Sequence, residues 1–556
     1  MSTSIYISRK AYSLRGNLTF QWLATILAIT LIITLPLLVV LQFNFHPRSD
    51  TWQHLIDYVL LEYVKNSLLL AAGVAVGTFI IGVPAAWLCA LYSFPGKRIL
   101  EFLLLLPLSV PAYIIAYTYT GVLDYSGPVQ TYMRELFGWG YGDYWFPEIR
   151  SLGGAISMFS FVLYPYVFLL TRASLITQSN NVIDAARSLG ASGLERLATI
   201  IIPLARPAIA AGITLALMET LADYGTVQYF GVDTFTTGIF RTWFGFGEPA
   251  TAAQLSSILM LTVLVLFLLE QHQRKRIRYH NPSNAVQKHH PSPLNGGYAL
   301  LAFIACFIPP LLGFIIPMLQ LSAWAVKTAN DMVNNEFWVL AYNSFLLAAS
   351  AAFVTLFIAT ILAYGKRASS NPLIQGLINL CAMGYAVPGT IIAVGTLIVF
   401  GKLDNWLIDF LESQFNIDTG LIFTGTIFAL VFAHTVRFLS LGLQTVGSSL
   451  TKINHSIDEA SRLLGNSLFT TLRNIHLPLI RSGLLTAALL VFVEVMKELP
   501  ATLIMRPFNF NTLAVRTYEL ASDERLADAS TAALAIVVTG IIPVILLNLS
   551  IKANAR

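Results

Sequence analysis

Charge is what this chain has least of: only 11% of its 556 residues are Asp, Glu, Lys or Arg, against about a quarter in soluble globular domains. That scarcity excludes a soluble fold of this size. The net charge of +5 is spread over loops, so it describes no nucleic-acid surface either. Cysteine is nearly missing. The three present, Cys89, Cys306 and Cys381, lie inside or beside apolar runs, with spacing that suits neither a disulfide framework nor a metal site. No G-x-x-x-x-G-K-[ST], HExxH, GxSxG or paired-Cys motif occurs, so the chain carries no sign of a nucleotide site or hydrolytic centre of its own.

What is abundant is apolar sequence, 56% of the chain, much of it in runs near the roughly 20 residues that cross a bilayer as a helix. The fold class is therefore an all-α polytopic membrane protein. Arg9, Lys10 and Arg15 precede a run from Phe20 to about Leu41, which lacks a small-residue cleavage site and is read as a retained span. Further spans are expected near 64–92, 99–123, 151–171, 207–224 and 252–270. A polar stretch, QHQRKRIRYHNPSNAVQKHHPSPLNGG, follows as a linker, and six more spans fall near 299–321, 339–365, 373–400, 421–441, 482–500 and 530–551. This divides the chain into a first half (1–270), a linker (271–298) and a second half (299–556). His280, His289 and His290 in the linker are read as solvated residues rather than a metal tract. With both termini cytoplasmic, about 23 of the 34 Lys and Arg fall inside and 11 outside, the direction that the positive-inside rule demands.

The two halves repeat. Asp184–Pro207, DAARSLGASGLERLATIIIPLARP, returns 275 positions later as Glu459–Ser482, EASRLLGNSLFTTLRNIHLPLIRS. Asp184 matches Glu459, Ala185 matches Ala460, Gly190 matches Gly465, Pro203 matches Pro478 and Arg206 matches Arg481. Each copy reads as a short helix, a Gly-permitted turn, a second short helix and a Pro before the next span. Elsewhere Asn66–Ser67 matches Asn343–Ser344 and Pro111 matches Pro388, both at an offset of 277. Glu219 matches Glu494, Asp223 matches Glu498, and Arg241 matches Arg516. Six spans per half is an even number, so the twelve spans form two parallel six-helix repeats about an axis normal to the membrane, with a path expected between them.

An acidic residue, Ala-Ala or Ala-Ser, then Gly, then Pro thirteen positions later resembles the EAA loop of ABC importer permeases, here at Asp184, Ala185, Ala186, Gly190 and Pro203, and again at Glu459, Ala460, Gly465 and Pro478. Asp184 stands where the family name has Glu, which keeps the charge. The resemblance implies a type I importer permease of the bacterial inner membrane, whose EAA loops dock into paired cytoplasmic ATPase subunits. It implies that ATP is used by that partner and no cofactor is bound by this chain, and that an extracytoplasmic binding protein delivers the solute.

The segments Leu221–Phe244 and Lys497–Leu520 resemble the corresponding stretches of ferric-iron importer permeases, which implies Fe³⁺ as cargo. Polyamine, thiamine and aminophosphonate permeases share the fold, and only these outer stretches argue for iron. A secondary transporter of two six-helix repeats would show similar hydropathy but would need no docking loops. The outer acids are the other pointed feature. Glu219 and Asp223, at i,i+4 spacing, stand about 18–24 Å beyond Pro207 and are expected to line the path unless another helix supplies a basic partner. Glu494, Lys497 and Glu498 are expected to neutralise one another. Tyr224, Tyr229, Asp223 and Asp233 offer oxygen to a hard cation. The favoured reading nonetheless makes Tyr229, Asp233, Arg241 and Arg516 an outer dock for the binding protein.

Overall fold

Proline sets where the long apolar runs bend. Pro111 and Pro388, 277 positions apart, both stand immediately before a helix with nearly the same backbone (φ −57°, ψ 141° and φ −51°, ψ 140°). Each follows a short 3₁₀ turn, Leu106–Ser109 or Gly384–Ala386. Proline fixes φ and lacks an N–H, so it starts a helix easily and cannot continue the one before it.

The computed structural model describes residues 20–140, 142–177, 195, 197–279, 291–369 and 371–554. The helices used below run α1 (Phe20–Gln42), α2 (Leu60–Leu91), α3 (Lys97–Leu103), α4 (Ala112–Leu123) and α5 (Leu152–Thr177). After the first inner loop come α6 (Ile202–Ala222), the short α7 (Gly225–Tyr229) and α8 (Phe235–Phe240), and α9 (Pro249–Tyr279). The second half adds α10 (Gly297–Pro310), α11 (Ile316–Met332), α12 (Asn335–Ala368), α13 (Pro372–Cys381), α14 (Gly389–Phe415) and α15 (Ile427–Thr451). It closes with α16 (His455–Leu463), α17 (Leu468–Thr471), α18 (Arg481–Met496), α19 (Pro500–Met505), α20 (Leu513–Ser522) and α21 (Leu526–Asn554).

Ten helices among the described residues are long and apolar enough to cross a membrane. Two further pairs qualify across a bend: Lys97–Ser109 with Ala112–Phe137 at 96°, and Leu468–Leu479 with Arg481–Met496 at 80°. Counting each bent pair once gives twelve; the span expected near 373–400 is broken at Pro388 into the short α13 and the spanning α14, Gly389–Phe415. The protein is an all-α, multi-pass membrane protein.

The chain packs as two compact units that cut across the sequence halves. One unit joins α1 to residues 341–512; the other joins residues 48–340 to the chain from Leu513 onward. In the first unit α1 lies on α13 and α14, where Gly395 leaves room for the backbone oxygen of Pro36, and Cys381 donates its thiol to Thr30 Oγ1. In the second unit α10 and α11 lie on α2, α3, α4 and α5, and Gly313 meets the carbonyl of Phe161 in the same way. The leading helix of each repeat is thus packed among helices of the other repeat. A Cβ at either glycine would collide with backbone, which cannot rotate aside. Repeat unit and packing unit are different partitions of this sequence.

The linker begins as helix, since α9 continues to Tyr279; His280, His289 and His290 lie outside the described residues. Its far end is pinned. Tyr92–Ser93 pairs in parallel with Ser292–Pro293, and Leu294 N donates to Ser93 O at 2.8 Å. Cys89 and Cys306 meet nearby at 4.0 Å between sulfurs, buried in an apolar cluster with Leu100, Leu104 and Tyr164. They are free thiols packed as small core residues.

Candidate functional site

The inner hairpin of the second half is built from local signals. Asn454 caps α16 by accepting from Ser456 N at 3.2 Å. Gly465 then turns the chain at φ +81°, with its N–H bound to Arg462 O at 3.0 Å. A left-handed residue closing a helix is the usual place for glycine. Ser467 caps α17 by accepting from Thr470 N, and Ser461 Oγ bonds Thr471 Oγ1 at 2.8 Å, tying the two short helices together in a buried contact. Leu472–His476 is a π turn running into Pro478. The ring of Pro478 crowds the carbonyl one turn back and offers it no N–H, so the helix widens there. The first half repeats this: the π turn Leu197–Ile201 precedes Pro203. There the helix continues through Pro203 to Ala222, whereas the second half breaks at Ile480. Asp184, Ala185, Ala186 and Gly190 lie outside the described residues.

Three residues that the sequence motif does not include hold the hairpin to the spans. Arg367, in the last turn of α12, donates from Nη2 to Asp458 Oδ2 at 2.6 Å and from Nε to the same oxygen at 3.1 Å. It also donates to Leu450 O at 2.6 Å and Ile453 O at 2.9 Å. The other carboxylate oxygen, Asp458 Oδ1, lies 2.8 Å from His476 Nε2 in the π turn. An ionised carboxylate only accepts, so Nε2 is the donor. His476 is fully buried and stacks obliquely on Tyr364, which meets Trp22 of α1. Partial burial pushes Asp458 upward, but the bonds from His476 and Arg367 and the Arg367 charge outweigh it, leaving the carboxyl at about 2. Glu459 and Ala460 point to solvent beside Leu463 (89% exposed), Leu464 (82%) and Phe469 (62%). The hairpin therefore turns a charged anchor inward and an apolar, acid-edged face outward.

The first half has other residues at the matched positions. Offsets of 277 and 275 carry Arg367, Asp458 and His476 to Ala90, Ile183 and Ile201. Ala90 and Ile201 are buried in an apolar cluster with Leu91, Leu175 and Ala205. Among the described residues at this end, Arg172 pairs with Glu101 at 2.9 Å, linking α5 to α3.

At the other end of the spans the acids do not form the arrangement expected from spacing. α6 stops at Ala222, and Asp223 leaves the helix with extended backbone (φ −73°, ψ 138°), so Glu219 and Asp223 are not successive residues on one helical face. Asp223 caps α7, accepting from Thr226 N at 2.8 Å and Thr226 Oγ1 at 3.2 Å. Glu498 does the same for α19, accepting from Ala501 N at 2.8 Å and Thr502 N at 3.0 Å. Only half of the expected second triad forms: Lys497 pairs with Glu494 at 2.8 Å, while Glu498 pairs with Arg437 of α15 at 2.7 Å. Arg437 lies 61 positions away, beyond the reach of any local spacing rule. His434, one turn earlier on α15, reaches Thr502 Oγ1 at 3.3 Å. The first-half counterpart of Arg437, at the same offset of 275, is Val162.

The expected dock residues are anchored rather than loose. Arg241 pairs with Asp233 at 2.7 Å, and the Asp233 carbonyl accepts from Asn66 Nδ2 at 3.0 Å. The repeat keeps the second contact, Asn343 Nδ2 to Asn511 O at 3.2 Å. Arg516 lies 3.2 Å from Glu336 and 3.9 Å from Glu519. Arg150 sits 5.2 Å over the Tyr229 ring and pairs with Glu524 at 2.7 Å. The hydrogen bond from Arg150 holds the Glu524 carboxyl below its usual range. Beside this pair is a cavity of about 500 Å³ lined by Asp124, Tyr125, Gln130, Tyr144, Glu148 and Arg150. Among the described residues no three His, Cys, Asp or Glu side chains gather as a metal site.

Residues 82–279 match the family described as the binding-protein-dependent transport system inner membrane component. The chain is 27% identical over 495 residues, 88% of its length and 90% of the relative's, to the Fe(3+)-transport system permease protein FbpB 2 of Haemophilus influenzae. It is 24% identical over 467 residues, 80% of its length and 70% of the relative's, to the putative ferric transport system permease protein FbpB 1 of the same organism. The sulfate transport system permease protein CysT of Salmonella typhimurium is 25% identical over 263 residues, 45% of this chain and 90% of the relative. A relative of that length has the span of one repeat, whereas the two ferric permeases run across both. The chain is thus similar over most of its length to permeases of binding-protein-dependent transport systems, and residues 82–279 match the model of their inner membrane component.

Proposed function

We propose that this permease is the membrane channel of a ferric-iron importer, fed by an extracytoplasmic binding protein and driven by two copies of a separate ATPase. The observation that carries the ATPase assignment is the inner hairpin: a rigidly seated turn with Leu463, Leu464 and Phe469 exposed beside Glu459. Exposed apolar side chains on a loop outside the spans mark a protein contact. The iron assignment is supported by the two long relatives named for ferric transport and by the outer stretches Leu221–Phe244 and Lys497–Leu520. Both termini are taken as cytoplasmic, which leaves both hairpins and the basic linker on the ATPase side.

In this reading the first hairpin, through Asp184, Ala185, Ala186, Gly190 and Pro203, receives one ATPase copy and the second hairpin receives the other. Closure of the ATPase pair moves the hairpins, and the spans behind them open the path outward or inward. Glu219, and Glu494 with Lys497, stand beside that path near its outer end. Asp223 and Glu498 hold the short helices α7 and α19 that follow, and Tyr229, Asp233, Arg241 and Arg516 shape the face on which the binding protein docks. ATP is bound and hydrolysed by the partner, not by this chain.

The test is reconstitution of the chain with its ATPase and binding protein in lipid vesicles. Ferric iron on the binding protein should stimulate hydrolysis and enter the vesicles, and the chain by itself should do neither. Stimulation by sulfate or a polyamine instead would reassign the cargo. Ion-driven uptake by the chain alone would replace the importer by a secondary transporter.

A further inference from the structure

The second inner hairpin is tied to the spans through Asp458 and Arg367, and the first repeat does not have the same residues at the matched positions. Asp458 is bonded to Arg367 at the end of α12 and to His476 in the turn that leads to α18, while Arg367 also holds the carbonyls of Leu450, in the last turn of α15, and of Ile453 just beyond it. Side-chain exposure is 6% for Arg367, 15% for Asp458 and 0% for His476, so the tie is shielded from water. Its geometry is bidentate in effect, with two guanidinium nitrogens on one oxygen and an imidazole on the other, and such charge-assisted bonds are stiff and directional. None of the EAA residues Glu459, Ala460, Gly465 or Pro478 takes part. At the matched positions of the first repeat stand Ala90, Ile183 and Ile201, which can pack but cannot hold a direction through bonds.

We propose that Arg367, Asp458 and His476 are positioning residues for energy coupling, making the second hairpin a rigid lever whose displacement is delivered directly to α12, α15 and α18. The second repeat transmits motion through a bonded joint whose three residues are not repeated at positions 90, 183 and 201. Packed apolar faces resist separation but have no preferred angle, whereas a three-way hydrogen-bonded joint has one. This inference rests on the hairpin being the ATPase dock.

The experiment uses the full complex of permease, ATPase and binding protein in vesicles, and reads solute taken up per ATP hydrolysed. The variants are Asp458→Asn, Arg367→Met and Asp458→Glu, with a triple variant Arg367→Ala, Asp458→Ile, His476→Ile that copies the first repeat. Only complexes that have assembled, as judged by co-purification of the ATPase, are compared. Asp458→Asn and Arg367→Met should lower uptake per ATP several-fold, Asp458→Glu should recover most of it, and the triple variant should stay low although its seat is repacked. An unchanged ratio in Asp458→Asn and Arg367→Met overturns the proposal. So does full recovery in the triple variant, because packing alone would then suffice. Failure of the wild-type chain to bind the ATPase would instead sink the docking assignment, and an ATPase that binds normally while the ratio never moves would sink only the lever.

Discussion

Arg437 Nη1 donates to Glu498 Oε1 across 2.7 Å, from one helix of the second repeat to the acid that caps another. The arginine side chain is 12% exposed and the glutamate 2%. A buried pair costs desolvation on both sides, so its value shows mainly when one partner is removed. Glu498→Gln should therefore destabilise the solubilised protein by about 3 kcal/mol, leaving Arg437 bare. The double variant Glu498→Gln with Arg437→Met should cost less than Glu498→Gln alone. Thermal unfolding of the four proteins of the cycle checks this, and strictly additive losses would mean the pair is not coupled.

Asp223 has a narrower task than Glu498. Asp223→Asn keeps an oxygen for Thr226 N, and Asp223→Ala removes it, so Ala should cost about 1 kcal/mol and Asn only a few tenths. Uptake separates structure from path. If the charge also serves the cargo, Glu219→Gln with Asp223→Asn slows iron uptake at near-normal stability; normal uptake in that double variant would leave capping as the whole role of Asp223.

Acid should loosen the inner hairpin in a defined window. The Asp458 carboxyl is held at about 2 in the folded protein, below its value of about 3.9 in an unfolded chain. A depressed carboxyl contributes stability that is fully present above the unfolded value and is lost as pH falls toward the folded one. The gap between wild type and Asp458→Asn should thus be flat above about pH 5 and shrink between about pH 4 and 2, with the pH-dependent part near 1–2 kcal/mol once water around the hairpin is allowed for. Chemical unfolding across that range, with protease access to residues 455–476 as a local reading, decides it. A gap that widened on acidification would contradict the assigned bonds.

Gly465 should tolerate little. Its φ of +81° suits glycine, a Cβ there would meet nothing within 4 Å, and its N–H serves Arg462 O. Gly465→Asn, a residue that accepts left-handed backbone, should be mild. Gly465→Ala should cost about 1 kcal/mol through backbone strain alone. Gly465→Pro can adopt neither the angle nor the hydrogen bond, so it should leave the spans inserted and abolish coupled uptake. Equal ATPase binding and uptake in Asn and Pro variants would show that the turn does not shape the dock.

Much of this protein is legible without coordinates because its signals are local. Bilayer thickness turns hydropathy into span length, glycine and proline mark turns through their own backbone geometry, and a repeat at 275 positions shows the hairpins twice. What the chain order concealed are contacts whose partners are distant or whose competition is tertiary. Arg367 meets Asp458 from 91 positions away and Arg437 meets Glu498 from 61, and no spacing rule links residues so far apart. Glu219 and Asp223 look like neighbours on a helix until Thr226 N–H offers Asp223 a cap that ends the helix first. The placement of α1 and α10 was open for another reason. Apolar helix faces are nearly interchangeable in lipid, where association depends on close approach rather than hydrophobicity. The sequence by itself determined the spans, the repeat and the hairpins; tertiary structure decided which helices share a unit and which acids are held, because shape at Gly395 and Gly313 and charge at Arg367 and Arg437 act only once distant segments meet.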